Sequence, residues 1–127
     1  MDPFNCRGLI IRSSEYKDKD RLLSVLTSDR GLITICAKGV AKPGSSLGSV
    51  SMPYMLCDFT LSDSHGFWYV KEALIIESNS GILNDLMALA VASHIADVLD
   101  KSYLNSEVSK SSYELTIYSY YALSINI

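Results

Sequence analysis

Up to Ile76 the apolar positions fall mostly at every second residue, and after Glu77 they recur at three and four. The first period belongs to half-buried strands and the second to helices. Cys6 to Ser13, rich in Leu and Ile, predicts a first strand. Arg21 to Thr27 predicts a second, and Ser28-Asp29-Arg30-Gly31 a turn in which the glycine is free to take positive φ. In Leu32 to Lys38, Ile33, Ile35 and Ala37 share one face, while Thr34, Cys36 and Lys38 share the other. Those two strands read as a hairpin. Gly39 to Val50, with three glycines, Pro43 and three serines, reads as a loop with one short helical turn near Ser46–Val50.

Pro53 opens a fourth strand, Tyr54 to Leu61, with Met55, Cys57, Phe59 and Leu61 on one face. Ser62 to Gly66 is a turn, and Phe67 to Ile76 is a fifth strand, which turns either Phe67 and Tyr69 or Trp68 into the core. Five short strands with regular turns predict a small closed barrel, because closure removes exposed edges. The first domain is then 1–77.

Residues 78–127 read as the first helices of a second, helical domain. Asn79-Ser80-Gly81 offers N-caps for a helix from Ile82 to Asp100, apolar on most of its circumference. Ser102 to Lys110 is a polar connection. Ser111 and Glu114 have capping-box spacing, so a second helix is expected there, with Leu115, Tyr118, Tyr121, Ala122 and Ile125 as its apolar stripe. No stop signal follows, which predicts either that the chain is a fragment of a longer protein or that its C-terminus is unusual. Helices with such wide apolar faces need the barrel, further chain or a second copy to cover them.

Composition narrows the class. The apolar fraction of 48% supports a buried core, and 20% charged residues argues against disorder. The longest apolar run, Leu86 to Ala92, is too short to span a bilayer, and the N-terminus lacks the pattern of a secretory signal. A cytoplasmic protein is expected. Cys6, Cys36 and Cys57 are odd in number, widely spaced and set in apolar runs, which suits reduced, buried thiols and not a zinc site. The net charge is −3, but nine Lys/Arg oppose eight Asp/Glu up to Ile76, and two oppose six from Glu77 onward. The front is mildly basic and the back acidic, so two surfaces with different partners are expected.

Catalysis finds little support. His65 and His94 have no Cys, Asp or Glu at catalytic or metal-ligand spacing. Asp18 and Asp20 are interleaved with Lys17, Lys19 and Arg21 and read as a solvated charged segment. Gly39 to Ser46 has the glycine spacing of a phosphate-binding loop but lacks the lysine after the second glycine, and Pro43 removes a donor. Neither an enzymatic activity, a cofactor nor a metal is expected.

Nucleic-acid binding is the better candidate. Arg12, Lys17, Lys19, Arg21, Lys38 and Lys42 lie on or near the first three strands and the loop after them. Barrels of this kind carry single strands across strands 2 and 3, with cations for phosphates and aromatic faces for bases. Tyr16, Tyr54, Phe67, Trp68 and Tyr69 are the possible stacking platforms.

The order of several short motifs resembles the RecO family of bacterial recombinational repair proteins. Gly8 to Arg12 is similar to that family's opening strand, and Tyr16-Lys17-Asp18-Lys19-Asp20-Arg21-Leu22-Leu23 to its Tyr-x-Glu-x-Asp-Arg-Leu-Leu signature. Thr27 to Ile33 resembles its Thr-x-x-x-Gly hairpin, and Ala37-Lys38-Gly39 the start of its basic loop. Met52 to Tyr54 and Trp68 to Ala73 resemble its later strands. The resemblance implies an OB-fold barrel that binds and anneals DNA, single strands preferred and without sequence preference. It implies a helical domain that contacts RecR, in some members RecF, and the tail of single-strand binding protein. It also implies a role in DNA damage repair and homologous recombination, loading RecA in the RecF pathway near the nucleoid. This chain has Asp18 where the family usually has Glu, and Ala41, Gly44 and Ser46 where it is often basic. Many members also carry a four-cysteine zinc module further on. The depleted loop and the acidic back leave a second reading open, a protein-interaction scaffold with weak or no DNA binding.

Overall fold

A computed structural model of the chain describes residues 3–40, 42–45, 47, 50–103 and 106–125. Five strands form one closed sheet, followed by two helices: β1 (Phe4–Tyr16), β2 (Asp20–Thr27), β3 (Leu32–Ala37), β4 (Leu56–Ser64), β5 (Phe67–Glu77), α1 (Leu86–Tyr103) and α2 (Lys110–Ser124). The strand order is β1-β2-β3-β5-β4, with β4 returning to β1. All neighbours are antiparallel except β3 and β5, which meet in parallel at the register pair Cys36–Tyr69.

The barrel closes because β1 bends. Its first half pairs with β4 and its second half with β2, and Gly8 is registered to both Cys57 and Thr27. A Cβ on Gly8 would lie 2.4 Å from Val25 Cγ1, so only glycine lets the strands approach there. Leu9 and Ile11 face outward by alternation, and a register shift between Ile10 and Arg12 then lets Arg12 face outward as well. The barrel interior is filled by Cys6, Ile10, Leu23, Val25, Ile33, Ile35, Ala37, Cys57, Phe59, Leu61 and Val70. The alternation predicted for β3 and β4 therefore holds. In β5 it is Trp68, not Phe67 and Tyr69, that packs against this interior, and Phe67 is 49% exposed.

A second core lies outside the barrel wall. Leu9, Ile11, Leu26, Leu32, Tyr54 and Leu56 meet Ile82, Ala88, Ala92, Ala96, Leu99, Tyr113 and Tyr120. The small residues at helical spacing on α1 let its axis approach the sheet closely. Tyr120, fully buried, stacks on Tyr54 with ring centroids 5.3 Å apart, and its hydroxyl donates to the Ala92 carbonyl oxygen at 2.8 Å. Tyr54 reaches that position through a left-handed backbone, φ 75°. This kink explains why β4 starts at Leu56, although Tyr54 N–H and Met55 C=O already bond to Ile10.

The helices correct the sequence reading in three places. A 3-10 turn occupies Ser80–Ile82, and α1 starts at Leu86, capped by Asp85, whose carboxylate accepts from the Met87 and Ala88 N–H groups. Asn79 is instead buried, donating to the Tyr54 carbonyl oxygen at 2.8 Å. α2 is capped by Ser109, which accepts from Ser112 N–H, and not by Ser111. Its buried residues are Tyr113, Thr116 and Tyr120, while the expected stripe of Leu115, Tyr118, Tyr121 and Ile125 is exposed. The short turn expected near Ser46–Val50 falls largely outside the described residues. No described helix is long and apolar enough to cross a membrane.

Candidate nucleic-acid interface

Two loops meet at one end of β3. The β1–β2 hairpin turns over Lys17-Asp18-Lys19, with Tyr16 registered to Asp20 and with Lys17 and Asp18 at φ 37° and 21°. The chain leaves β3 through Lys38 and turns at Gly39, φ 66°, whose carbonyl oxygen accepts from Lys42 N–H. Asp20 joins them: its carboxylate accepts from Gly39 N–H at 2.7 Å. This one bond brings Lys17 and Lys19 to the side of Lys38 and Lys42. All four lysines are exposed, and none is in an ion pair among the described residues. Cys36 lies beneath the Lys17 and Lys38 side of the cluster. Burial raises its thiol pKa, Asp20 adds to the rise, and Lys38 and Lys17 oppose it.

The outward face of β3 adds little to this surface, since Cys36 is 2% exposed and Leu32 packs against the helices. Thr34, Cys36 and Lys38 point out of the barrel, opposite the interior Ile33, Ile35 and Ala37. Across the β3–β5 junction, Phe67 and Tyr69 lie on the same outer face, rings 6.4 Å apart. Lys38 Nζ is 5.7 Å from the Tyr69 ring centroid, and Lys17 Nζ is 5.4 Å from that of Tyr16. Cations and aromatic faces thus share one side of the barrel, the pairing that single-strand grooves use.

The remaining sequence candidates divide. Arg21 lies at the same end but folds back, its guanidinium donating to the Ser13 hydroxyl and carbonyl oxygens at 2.7 and 3.1 Å. Arg12 faces α1 and is bound by Asp97 at 2.5 Å and Asp100 at 3.4 Å. It fastens the helix to the barrel and does not join the lysines. Tyr54 is 6% exposed and stacked on Tyr120, so it offers no free face.

Two residues escaped the sequence reading. Arg30, in the β2–β3 turn, lies 4.2 Å from the Phe4 ring centroid and 5.7 Å from that of Trp68. Phe4 precedes the expected start of β1, and its contacts with Arg30 and Trp68 join distant turns, so no local signal marked either residue.

Elsewhere charges cancel. A hollow of about 710 Å³ along β1, β4 and β5 holds the exposed pair Arg7–Asp58, 2.7 Å apart, with Lys71 and Glu72. The hydrogen bonds from Arg7 hold the Asp58 carboxyl below its ordinary pKa. Burial pushes the thiols of Cys6 and Cys57 up to about 11 and about 12, so neither is a nucleophile at neutral pH. His65 sits in the β4–β5 turn and His94 on the exposed side of α1, and the described residues hold no group of His, Cys, Asp and Glu suited to a metal.

The closed five-stranded barrel, its strand order and its parallel β3–β5 closure define an OB-type barrel. The family model described as recombination protein O N terminal matches residues 1–79, and the chain belongs to the RecO family. It is 30% identical over 96 residues to DNA repair protein RecO of Bacillus subtilis strain 168, covering 76% of this chain and 38% of that protein. It is 30% identical over 111 residues to the protein of the same name from Listeria monocytogenes serotype 4b, covering 87% and 44%. Against that of Bacillus pumilus the identity is 28% over 112 residues, covering 88% and 44%. The chain therefore spans less than half the length of these relatives.

Proposed function

We propose that this chain is the DNA-contacting part of a DNA repair and recombination mediator. It binds single- and double-stranded DNA through the β2–β3 face, promotes annealing and, with RecR, assists the loading of RecA. It acts by binding and performs no catalysis. The observation that supports this most is the gathering of Lys17, Lys19, Lys38 and Lys42 beside the Asp20–Gly39 hydrogen bond, with no ion pair to any of the four among the described residues. RecR, RecF and the tail of single-strand binding protein are the expected partners, and the cytoplasm, near the nucleoid, the expected location.

The test is fluorescence anisotropy of a labelled single strand against salt. With two to four phosphates neutralised, log K is expected to fall with log[salt] at a slope of roughly −1.4 to −2.8. Lys38→Glu and Lys42→Glu should each weaken binding on the order of tenfold at low salt, since a unit charge 4 Å from a phosphate in water is worth about 1 kcal/mol. The loss should be equal for every sequence. Unchanged affinity in the double variant would remove the interface.

The exposed Leu115, Tyr118, Tyr121 and Ile125 on α2 favour the second reading, a protein-interaction scaffold. A pull-down with RecR and with a single-strand-binding-protein tail peptide tests it, and loss of both interactions with DNA binding intact would end it.

A further inference from the structure

At the end of β3 away from the lysines, the β2–β3 and β4–β5 turns enclose a cleft of about 470 Å³, lined by Arg30, Ile33, Thr34, Gly66, Phe67 and Trp68. Its chemistry differs from that of the lysine end. Phe67 presents an exposed aromatic ring on one border. Arg30 borders it as well, braced on Phe4, and Phe4 meets Trp68 edge-on with ring centroids 6.2 Å apart. Arg30 is in no ion pair among the described residues, so its fork of N–H donors is unused. An exposed ring beside a guanidinium with free donors offers a flat ligand with acceptor edges both a stacking face and hydrogen bonds.

We propose that this cleft receives one unpaired base of a strand whose backbone lies on the lysines at the other end of β3. The inference rests on the DNA-binding reading above and adds a division of labour to it. Thr34 and Lys38 are four residues apart on one strand, about 13 Å, so lysine rim and cleft together suit a short stretch of single strand. Phe67 stacks on the base face, and Arg30 donates to the base edge or to the adjoining phosphate. A paired base in a duplex keeps both faces covered by its neighbours and cannot enter. The lysine rim holds any polynucleotide, and the cleft makes the single strand the preferred one.

Trp68, the only tryptophan of the chain, lines the cleft and supplies the measurement. Oligo-dT added to the 127-residue protein should quench its fluorescence, while a blunt duplex bound at equal saturation should leave it nearly unchanged. Phe67→Ala should lower single-strand affinity about tenfold and duplex affinity less than twofold. Arg30→Gln should lower single-strand affinity severalfold, and Phe67→Tyr should retain it. Equal losses for both DNA forms, or wild-type affinity in Phe67→Ala together with full sensitivity to Lys38→Glu, would overturn the cleft and leave the lysine interface standing. Absence of DNA binding by the wild type would remove both.

Discussion

Replacing Tyr120 with alanine is expected to destabilise the chain by about 4 kcal/mol. Truncating a fully buried aromatic side chain removes its transfer free energy and leaves a cavity, together about 3–5 kcal/mol. The stack on Tyr54 is lost as well, and so is the hydrogen bond to the Ala92 carbonyl oxygen. Three elements converge on this ring: the kinked segment before β4, α1 and α2 itself. The backbone of Tyr54 is left-handed, and without the stack its hydrogen bonds with Ile10 and Asn79 are left to hold it there. Urea unfolding followed by far-ultraviolet circular dichroism checks the value. Tyr120→Phe, which keeps ring and stack, should cost only about 1 kcal/mol. A loss below about 1.5 kcal/mol in Tyr120→Ala would show that the helices are not held to the barrel at this point.

The second large effect is expected at Gly31. Its φ of +72° costs a side chain roughly 1–2 kcal/mol. A Cβ there would also overlap the Ser106 carbonyl oxygen, which accepts the Leu32 N–H at 3.2 Å. Gly31→Ala must therefore push away the segment between the helices and break that bond, for a total of about 3 kcal/mol. Gly66 separates the two contributions. It has φ +83° with nothing within 4 Å of an added Cβ, so Gly66→Ala should cost only the conformational part, about 1 kcal/mol. Equal urea midpoints for the two variants would contradict the close approach of Ser106 to the β2–β3 turn.

These positions also mark where the amino-acid pattern stops being informative. The five strands and their core faces in β3 and β4 are legible, because alternation is a local property. It fails in β5, where register shifts opposite Leu56/Cys57 and Thr60/Leu61 interrupt the alternation. In α2 apolar side chains surround most of the helix, so periodicity could not choose between the Tyr113–Tyr120 face and the Leu115–Ile125 face. The choice was made by Tyr54, 66 positions earlier in the chain. The true caps, Asp85 and Ser109, lay close to better-looking candidates, and the 3-10 turn took the first of these. The nearness of Lys17, Lys19, Lys38 and Lys42 to one another was legible because they lie close together in the chain. Arg12 was grouped with them since its partners, Asp97 and Asp100, come 85 and 88 residues later. Arg30 and Phe67 become neighbours only when two separate hairpin turns meet.

The parallel junction between β3 and β5 has a consequence of its own. Every other boundary of the sheet is a long antiparallel ladder, whereas this one is registered through Cys36 and Tyr69 alone among the described residues. The wall is thinnest here, and in a hydrogen-exchange experiment its amides are expected to trade protons for deuterons ahead of those in β1 and β2. In the proposed binding mode a polynucleotide lies across this seam, anchored on Lys38 at one end and between the turns at the other, and acts as a splint.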